Sequence, residues 1–260
     1  MACILHIETS TKVCSVALSQ DSAVIYHDED FDGPNHAVRC GVMVEEALSF
    51  AESHAIPLDA VAVSEGPGSY TGLRIGYSMA KGVAYGRGVP LISLPTLEVM
   101  CVPVLLRAEM ADYEEEPERP DNPESSESRE CPGNPALRGG GPLLVPMIDA
   151  RRMEVYAAVY SRALRPVRGV QADIVTEDTY REYLDRGPVY FFGDGAGKTK
   201  TVIRHPNARF IDDIHPLAKY MQPLAERKFL REEFADVAYS QPFYLKEFEA
   251  KPSKDLLHRT

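Results

Sequence analysis

Four sets of residues in this 260-residue chain have types and spacing that could do chemistry. The first is Glu8-Thr9-Ser10-Thr11, a polar turn between the apolar runs CILHI and VCSVALS. One carboxylate beside three hydroxyls could approach a nucleotide's phosphates, or it could bond within the turn. A hydrogen-bonded turn is the first reading, and nucleotide contact by Glu8, Thr9 and Ser10 is the second. GDGAGKT, residues 193–199, invites comparison with a phosphate loop, which needs four residues between its glycines. Gly193 and Gly197 enclose three, and Phe192 occupies the position a glycine would need. A tight strand-to-helix turn is therefore favoured, with a weaker nucleotide contact at Gly193 and Gly195 as the alternative. His36 and Cys40 sit four apart on an expected helix, as two metal ligands would. No other His or Cys lies near them in sequence, so helix packing is the better account, and no metal site is expected. GxSxG is absent, which leaves serine-hydrolase chemistry without support.

The last set is SEGPGSYTGLRIG, residues 64–76. A glycine-rich turn entering a helix can bind phosphate through free backbone N–H groups and the helix dipole. It can also let another chain segment come close. Gly68, Gly72, Gly76, Ala80 and Ala84 recur every fourth residue and form a small-residue stripe along one side of the helix. Helix-interior glycine costs about 1 kcal/mol against alanine, so the stripe implies close approach by another element. That element is either inside the same lobe or on another subunit.

Elements that position these residues follow from the pattern of apolar runs. CILHI, VCSVALS and AVIYH read as an antiparallel meander, and HAVRCGVMVEEALSFAESH as a helix that Asn35 would cap. LDAVAVS is a buried strand, SYTGLRIGYSMAKGVAYG a helix beginning near Ser69, VPLISL a strand, and TLEVMCVPVLLRA a helix interrupted near Pro103. The order βββαβαβα is that of one lobe of the actin-like, Hsp70-like and sugar-kinase ATPase fold. PLLVPMIDARRMEVYAAVYS gives a strand, a polar turn at DARR and a second strand, followed by a helix-strand unit in TEDTYREYLDRGPVYFFGDGAGK and a helix around 216–230. The expected organisation is an N-terminal lobe over 1–108, an acidic Pro-rich mobile insertion over 109–142, and a smaller α/β lobe over 143–260 whose last helix is placed to pack back on the first lobe.

The insertion holds ten acidic residues against three arginines and six of the twenty prolines, and so carries −7 of the net charge of −11. Such a composition buries too little apolar surface to offset its ordering entropy. It reads as solvated linker, with a regulatory tail as the sharper alternative. The rest is nearly balanced in charge, which argues against a broad nucleic-acid-binding face on this chain alone. Five cysteines without CxxC spacing read as mostly buried thiols in a reducing compartment. No apolar stretch is long enough to span a membrane, and the N-terminus does not read as a leader, so a cytoplasmic location is expected.

ILHIETSTKVCSVAL, GPGSYTGLRIG, LPTLEVM, IDARRMEVYAA and the late QPFYLKE together resemble the TsaB (YeaZ) family of bacterial tRNA threonylcarbamoyladenosine biosynthesis proteins. The resemblance runs through nearly the whole chain outside the acidic insertion. It implies an actin-like ATPase fold without a working active site of its own. It also implies a partner, the larger paralogue TsaD, which carries the metal and transfers a threonylcarbamoyl group to N6 of adenosine 37 in tRNA. A small ATPase, TsaE, joins the complex; ATP is used by the complex, with no cofactor held tightly here, and tRNA is met through the complex. The larger subunit's HxxxH metal pair is not reproduced, since Cys40 stands four residues after His36. The resemblance assigns the first-lobe helices to pairing with the paralogue, or with a second copy when the chain is alone. The expected interface set is Gly68, Gly72, Gly76, Ala80 and Ala84, with His36 and Cys40. On that basis Gly76→Leu should weaken pairing and leave the lone fold intact. An ATPase or small-molecule kinase of the same fold is the alternative, and it would have to rely on Glu8 and GDGAGK.

Overall fold

The computed structural model describes residues 2–33, 35–107 and 141–246. The acidic stretch 109–142 therefore lies outside the described residues except at its last two positions.

Strands β1 (Cys3–Glu8), β2 (Cys14–Gln20) and β3 (Ala23–Asp30) form the meander. Helix α1 (His36–Ser53), β4 (Ala60–Gly66), α2 (Tyr70–Arg87), β5 (Leu91–Pro95) and α3 (Thr96–Leu105) follow. The sheet order is β3-β2-β1-β4-β5, with β4 and β5 parallel to β1 and its neighbour. β1 is buried along its whole length because helices cover both faces, which is why CILHIE reads as a continuous run rather than an alternation. Helices α1 and α2 cover one face, with Met43, Ala47, Tyr77, Ala80 and Ala84 packed on Leu5, Ile7, Val16 and Val61.

The second sheet repeats the first. β6 (Leu143–Asp149), β7 (Glu154–Tyr160), β8 (Pro166–Ile174), β9 (Val189–Phe192) and β10 (Ala208–Ile211) pair in the order β10-β9-β6-β7-β8. Short helices α4 (Arg181–Leu184) and α5 (Ala196–Thr199) stand where the first lobe has two long ones. This duplicated arrangement, an antiparallel meander followed by parallel crossover strands in each lobe, is the actin-like ATPase fold. β8 and β10 are edge strands that the apolar pattern did not reveal: PVRGVQADI is half-exposed, and ARFI is only four residues long.

Between the sheets lies α3. Its Val99 and Val102 face the first sheet with Ile92 and Leu94. Its Leu97, Met100, Cys101 and Val104 face Leu144, Tyr160 and Phe192 of the second. Burial on most sides accounts for the largely apolar TLEVMCVPVL, whose one charged residue, Glu98, is only partly buried, and Pro103 sits near the C-terminal end, where the helix stops two residues later.

The chain then returns to the first lobe. A 3-10 turn over Ala218–Met221 leads into α6 (Gln222–Leu230), so the helix expected around 216–230 is divided, and Pro223 in its first turn fits the start of the α-helix. Ala218, Met221, Leu224 and Ala225 pack on Ala17, Ala60, Ala62 and Ile4, and the Ala218 N–H donates to Ser15 Oγ at 2.9 Å. From there a strap without regular structure crosses β5, where the Ala235 N–H donates to the Leu91 carbonyl at 2.8 Å. Among the described residues no helix is long and apolar enough to cross a membrane.

Candidate docking interface

The β1–β2 turn is closed. Glu8, Thr9 and Ser10 are buried. The Ser10 N–H donates to Glu8 Oε1 at 2.6 Å, and Ser64 Oγ donates to Glu8 Oε2. Burial pushes the Glu8 carboxyl above its ordinary value, and these bonds from the Ser10 and Ser64 groups only partly counter it. Thr9 Oγ1 donates to the Gly72 carbonyl at 2.8 Å, and the Ser69 N–H donates to the Ser10 carbonyl at 2.6 Å. The start of α2 is thus laid over the turn. Both Glu8 oxygens are spent on the protein, so the nucleotide contact at Glu8, Thr9 and Ser10 is corrected to a sealed hydrogen-bonded turn.

This roof explains the glycines. A Cβ on Gly68 would run into the Ser10 backbone, one on Gly72 into the Thr9 carbonyl, and one on Gly76 into the Thr9 side chain. Further along, Ala80 and Ala84 are buried against the sheet. The stripe from Gly68 to Ala84 therefore faces its own lobe, and its assignment to a subunit interface is corrected. The expectation for Gly76→Leu reverses with it, because a larger side chain there meets Thr9 before it meets any partner.

His36 and Cys40 are corrected likewise. Both are buried, His36 Nε2 bonds the Thr11 carbonyl at 2.8 Å, and Cys40 packs among Cys14, Met43 and Val44. Asn35 stands ahead of α1, but its carbonyl rather than its side chain engages the first turn, accepting from the Val38 N–H at 3.0 Å. Ser69 does cap α2, accepting from the Gly72 N–H at 3.2 Å, and Gly88 ends it at φ 67°.

Gly193 and Gly195 also serve packing. Gly193 has φ 102° and lies against the Met147 carbonyl and Met100. A Cβ on Gly195 would come 2.9 Å from the Ile148 carbonyl carbon, and the Gly195 N–H already donates to the Met147 carbonyl at 3.0 Å. Asp194 Oδ1 accepts from the Asp149 N–H at 2.9 Å, and Lys198 reaches both the Asp149 carboxylate and, at 2.6 Å, the Glu154 carbonyl. Burial opposes ionisation of Asp149, but the Lys198 ammonium and the Arg151 N–H outweigh it and hold that carboxyl below its ordinary value. GDGAGKT is a turn that ties β9 to the β6–β7 hairpin, and the nucleotide contact at Gly193 and Gly195 is corrected to that role.

What remains open is the outer face of α1 and α2. A groove of about 780 Å³ is lined by Ala37 of α1 and by Tyr70, Thr71, Arg74, Ile75, Ser78, Met79, Gly82 and Val83 of α2. On α1, next in sequence to Ala37 and Gly41, Val38 is 71% and Val42 39% exposed. Met79 Cε would lie 3.7 Å from a Cβ on Gly41, so the α1 backbone is approached there. A Cβ on Gly82 or Gly86 would meet nothing within 4 Å. Ser78, Gly82 and Gly86 form a second four-residue series on the same helix, turned outward. The sequence contained its signal: Leu73 and Tyr77, next to Gly72 and Gly76, mark the inner face, while Arg74, Ser78, Lys81 and Tyr85 lean the other way.

A family model described as TsaD, tRNA N6-adenosine threonylcarbamoyltransferase, matches residues 32–117, a span containing α1, β4, α2, β5 and α3. The chain is 26% identical over 253 residues to the tRNA threonylcarbamoyladenosine biosynthesis protein TsaB of Escherichia coli (strain K12), a match covering 94% of each chain. Among solved structures, YeaZ from Pseudomonas aeruginosa is similar with a TM-score of 0.67 at 21% identity, over 94% of this chain and all of that one. A second Pseudomonas aeruginosa structure, described as similar to peptidase YEAZ, has a TM-score of 0.72 at 21% identity, over 95% and 100%.

Proposed function

Since this chain belongs to the TsaB (YeaZ) family, we propose that it works in tRNA threonylcarbamoyladenosine synthesis as the partner subunit that supports a TsaD-like catalytic paralogue. The observation that carries this reading is the open α1–α2 face, an apolar groove on the part of the chain that the TsaD model also matches. Two related lobes that share this helix pair can meet face to face, each offering the same kind of surface to the other. An interface of this kind depends on a well-packed apolar centre, which Val38, Val42, Ile75, Met79 and Val83 can supply around Gly82.

In this reading the chain does not transfer the threonylcarbamoyl group itself. The paralogue does so, a TsaE-like ATPase joins the assembly, ATP is consumed by the complex, tRNA is engaged through the complex, and the location is cytoplasmic. The same face pairs two copies when the paralogue is absent. A kinase or ATPase role is disfavoured by the sealed Glu8 turn. The test is a tRNA modification assay with the TsaD-like subunit, in the presence and absence of this chain and at saturating TsaE-like protein and substrates. Modification should require the chain, and the chain alone should neither modify tRNA nor hydrolyse ATP. Full modification without it, or steady ATP turnover by it alone that is lost in Glu8→Gln, would overturn the reading.

A further inference from the structure

The groove has an aromatic end that the helices do not build alone. Tyr70, in the first turn of α2, lines it, and the Tyr70 ring is covered by Tyr244 of the C-terminal strap with centroids 4.9 Å apart. Arg74, one turn along, donates through Nη1 to the Tyr70 hydroxyl at 2.8 Å, and its guanidinium lies 5.5 Å from the centre of the same ring. Two tyrosines and an arginine in register are the residue types that dominate binding hot spots, because rigid rings add area at low entropic cost and the guanidinium offers a fixed fork of donors.

Several contacts fix the strap where it delivers Tyr244. Lys81 Nζ donates to the carbonyls of Ala238 and Ser240 at 2.9 and 3.0 Å, and the Phe243 N–H donates to the Glu65 carbonyl at 2.6 Å. Gly66, with φ 113°, leaves room for the Phe243 carbonyl, which a Cβ would touch at 2.5 Å. Beyond Tyr244, Lys246 Nζ reaches both Glu154 carboxylate oxygens at 2.6 Å, on β7 of the second lobe. The QPFYLKE segment thus runs from the α2 side of the first lobe to the second.

We propose that Tyr70, Arg74 and Tyr244 form the anchor of the docking face, with the strap a working part of that face, and that the anchor receives an acidic side chain on the helix pair of the TsaD-like subunit. This rests on the docking role proposed above. Charge complementarity selects the occupant: among the described residues that line the groove Arg74 is the one that carries a charge, so an apolar helix face with a carboxylate opposite Arg74 matches it. Tyr244 acts as a positioning residue, holding the Tyr70 ring that in turn orients Arg74.

The test measures affinity of the full chain for the purified TsaD-like subunit, with the thermal midpoint of each variant taken in parallel. Tyr244→Ala should weaken binding about 5- to 20-fold and Arg74→Glu by more, while Tyr244→Phe, which keeps the ring, should bind as wild type; none should shift the midpoint appreciably. Gly82→Trp, in the middle of the groove, serves as the reference. If Gly82→Trp loses binding while Tyr244→Ala and Arg74→Glu retain it, the anchor is wrong and the docking face stands. If Gly82→Trp also binds normally, the docking face itself is wrong and the anchor falls with it. A midpoint drop in Tyr244→Ala that accounts for its whole loss of binding would make the strap a structural brace only and would overturn the proposal.

Discussion

Helix α2 has two faces built from the same kinds of residue for opposite purposes. On the inner one, Gly72, Gly76, Ala80 and Ala84 are small because Thr9 and the sheet lie against them. On the outer one, Gly82 and Gly86 are small with open space in front of them, and Ser78, one turn earlier, is exposed. Inner glycine is required by the fold, and its cost in helix propensity is offset by the closed turn beneath. Outer glycine gives the isolated chain nothing and lowers helix stability by roughly 0.5–1 kcal/mol per residue relative to alanine. Residues that a fold carries at a loss are candidates for use by a partner, and this contrast is the physical basis for placing the docking surface on the outer face.

The largest effect expected is at Gly76→Leu. The added side chain must displace Thr9, whose hydroxyl holds the Gly72 carbonyl at 2.8 Å, so both the turn and the α2 start lose their fit. Overpacking of this kind costs about 1–3 kcal/mol and more where backbone must move. Thermal or urea unfolding of the lone chain should show it directly. Wild-type stability in this variant would mean that the inner face has spare room, and the contrast between the faces would fail.

A smaller effect is expected from pH at the sealed turn. Burial raises the Glu8 carboxyl above its unfolded value. As pH rises from the ordinary carboxylate range through the folded value, the unfolded chain gives up this proton first and stability falls. Glu8→Gln can still accept from the Ser10 N–H and cannot ionise. Its stability relative to wild type should therefore increase across that window and level off above it, as read from unfolding midpoints at a series of pH values. A difference independent of pH would show that Glu8 is not sealed in the way described.

The smallest effect should be seen at Gly86→Ala. With nothing within 4 Å of the new Cβ, helix propensity acts alone, and the lone chain should gain about 0.5–1 kcal/mol. A loss instead would place a neighbour against the outer face within the chain itself.

The sequence showed the first lobe well because its strands are buried runs and its helices are long, so apolar period and burial agree from CILHI to VPLISL. It showed the second lobe less well. β8 is half-exposed and β10 has four residues, and edge strands carry little of the alternation that marks a strand. The site was harder still. Gly72 and Gly82 are the same residue at two phases of one helix, and composition is blind to phase. Only the flanking residues, Leu73 and Tyr77 against Arg74 and Ser78, separate the faces. His36 and Cys40 have ligand-like spacing, but i,i+4 equally places two side chains in one core, and burial decided between these. Tyr244 lies far along the chain from Tyr70, so its contact with the Tyr70 ring depended on where the strap returns, which no local pattern specifies.

The most direct test of the contrast between the two faces is a single variant measured twice. Gly82→Trp fills the outer groove without touching the core, so the account predicts an unfolding midpoint at or slightly above wild type together with an affinity for the TsaD-like subunit lowered by about 2 kcal/mol or more, the size of a hot-spot loss. Unchanged affinity, or a fall in affinity explained entirely by a lower midpoint, would contradict it.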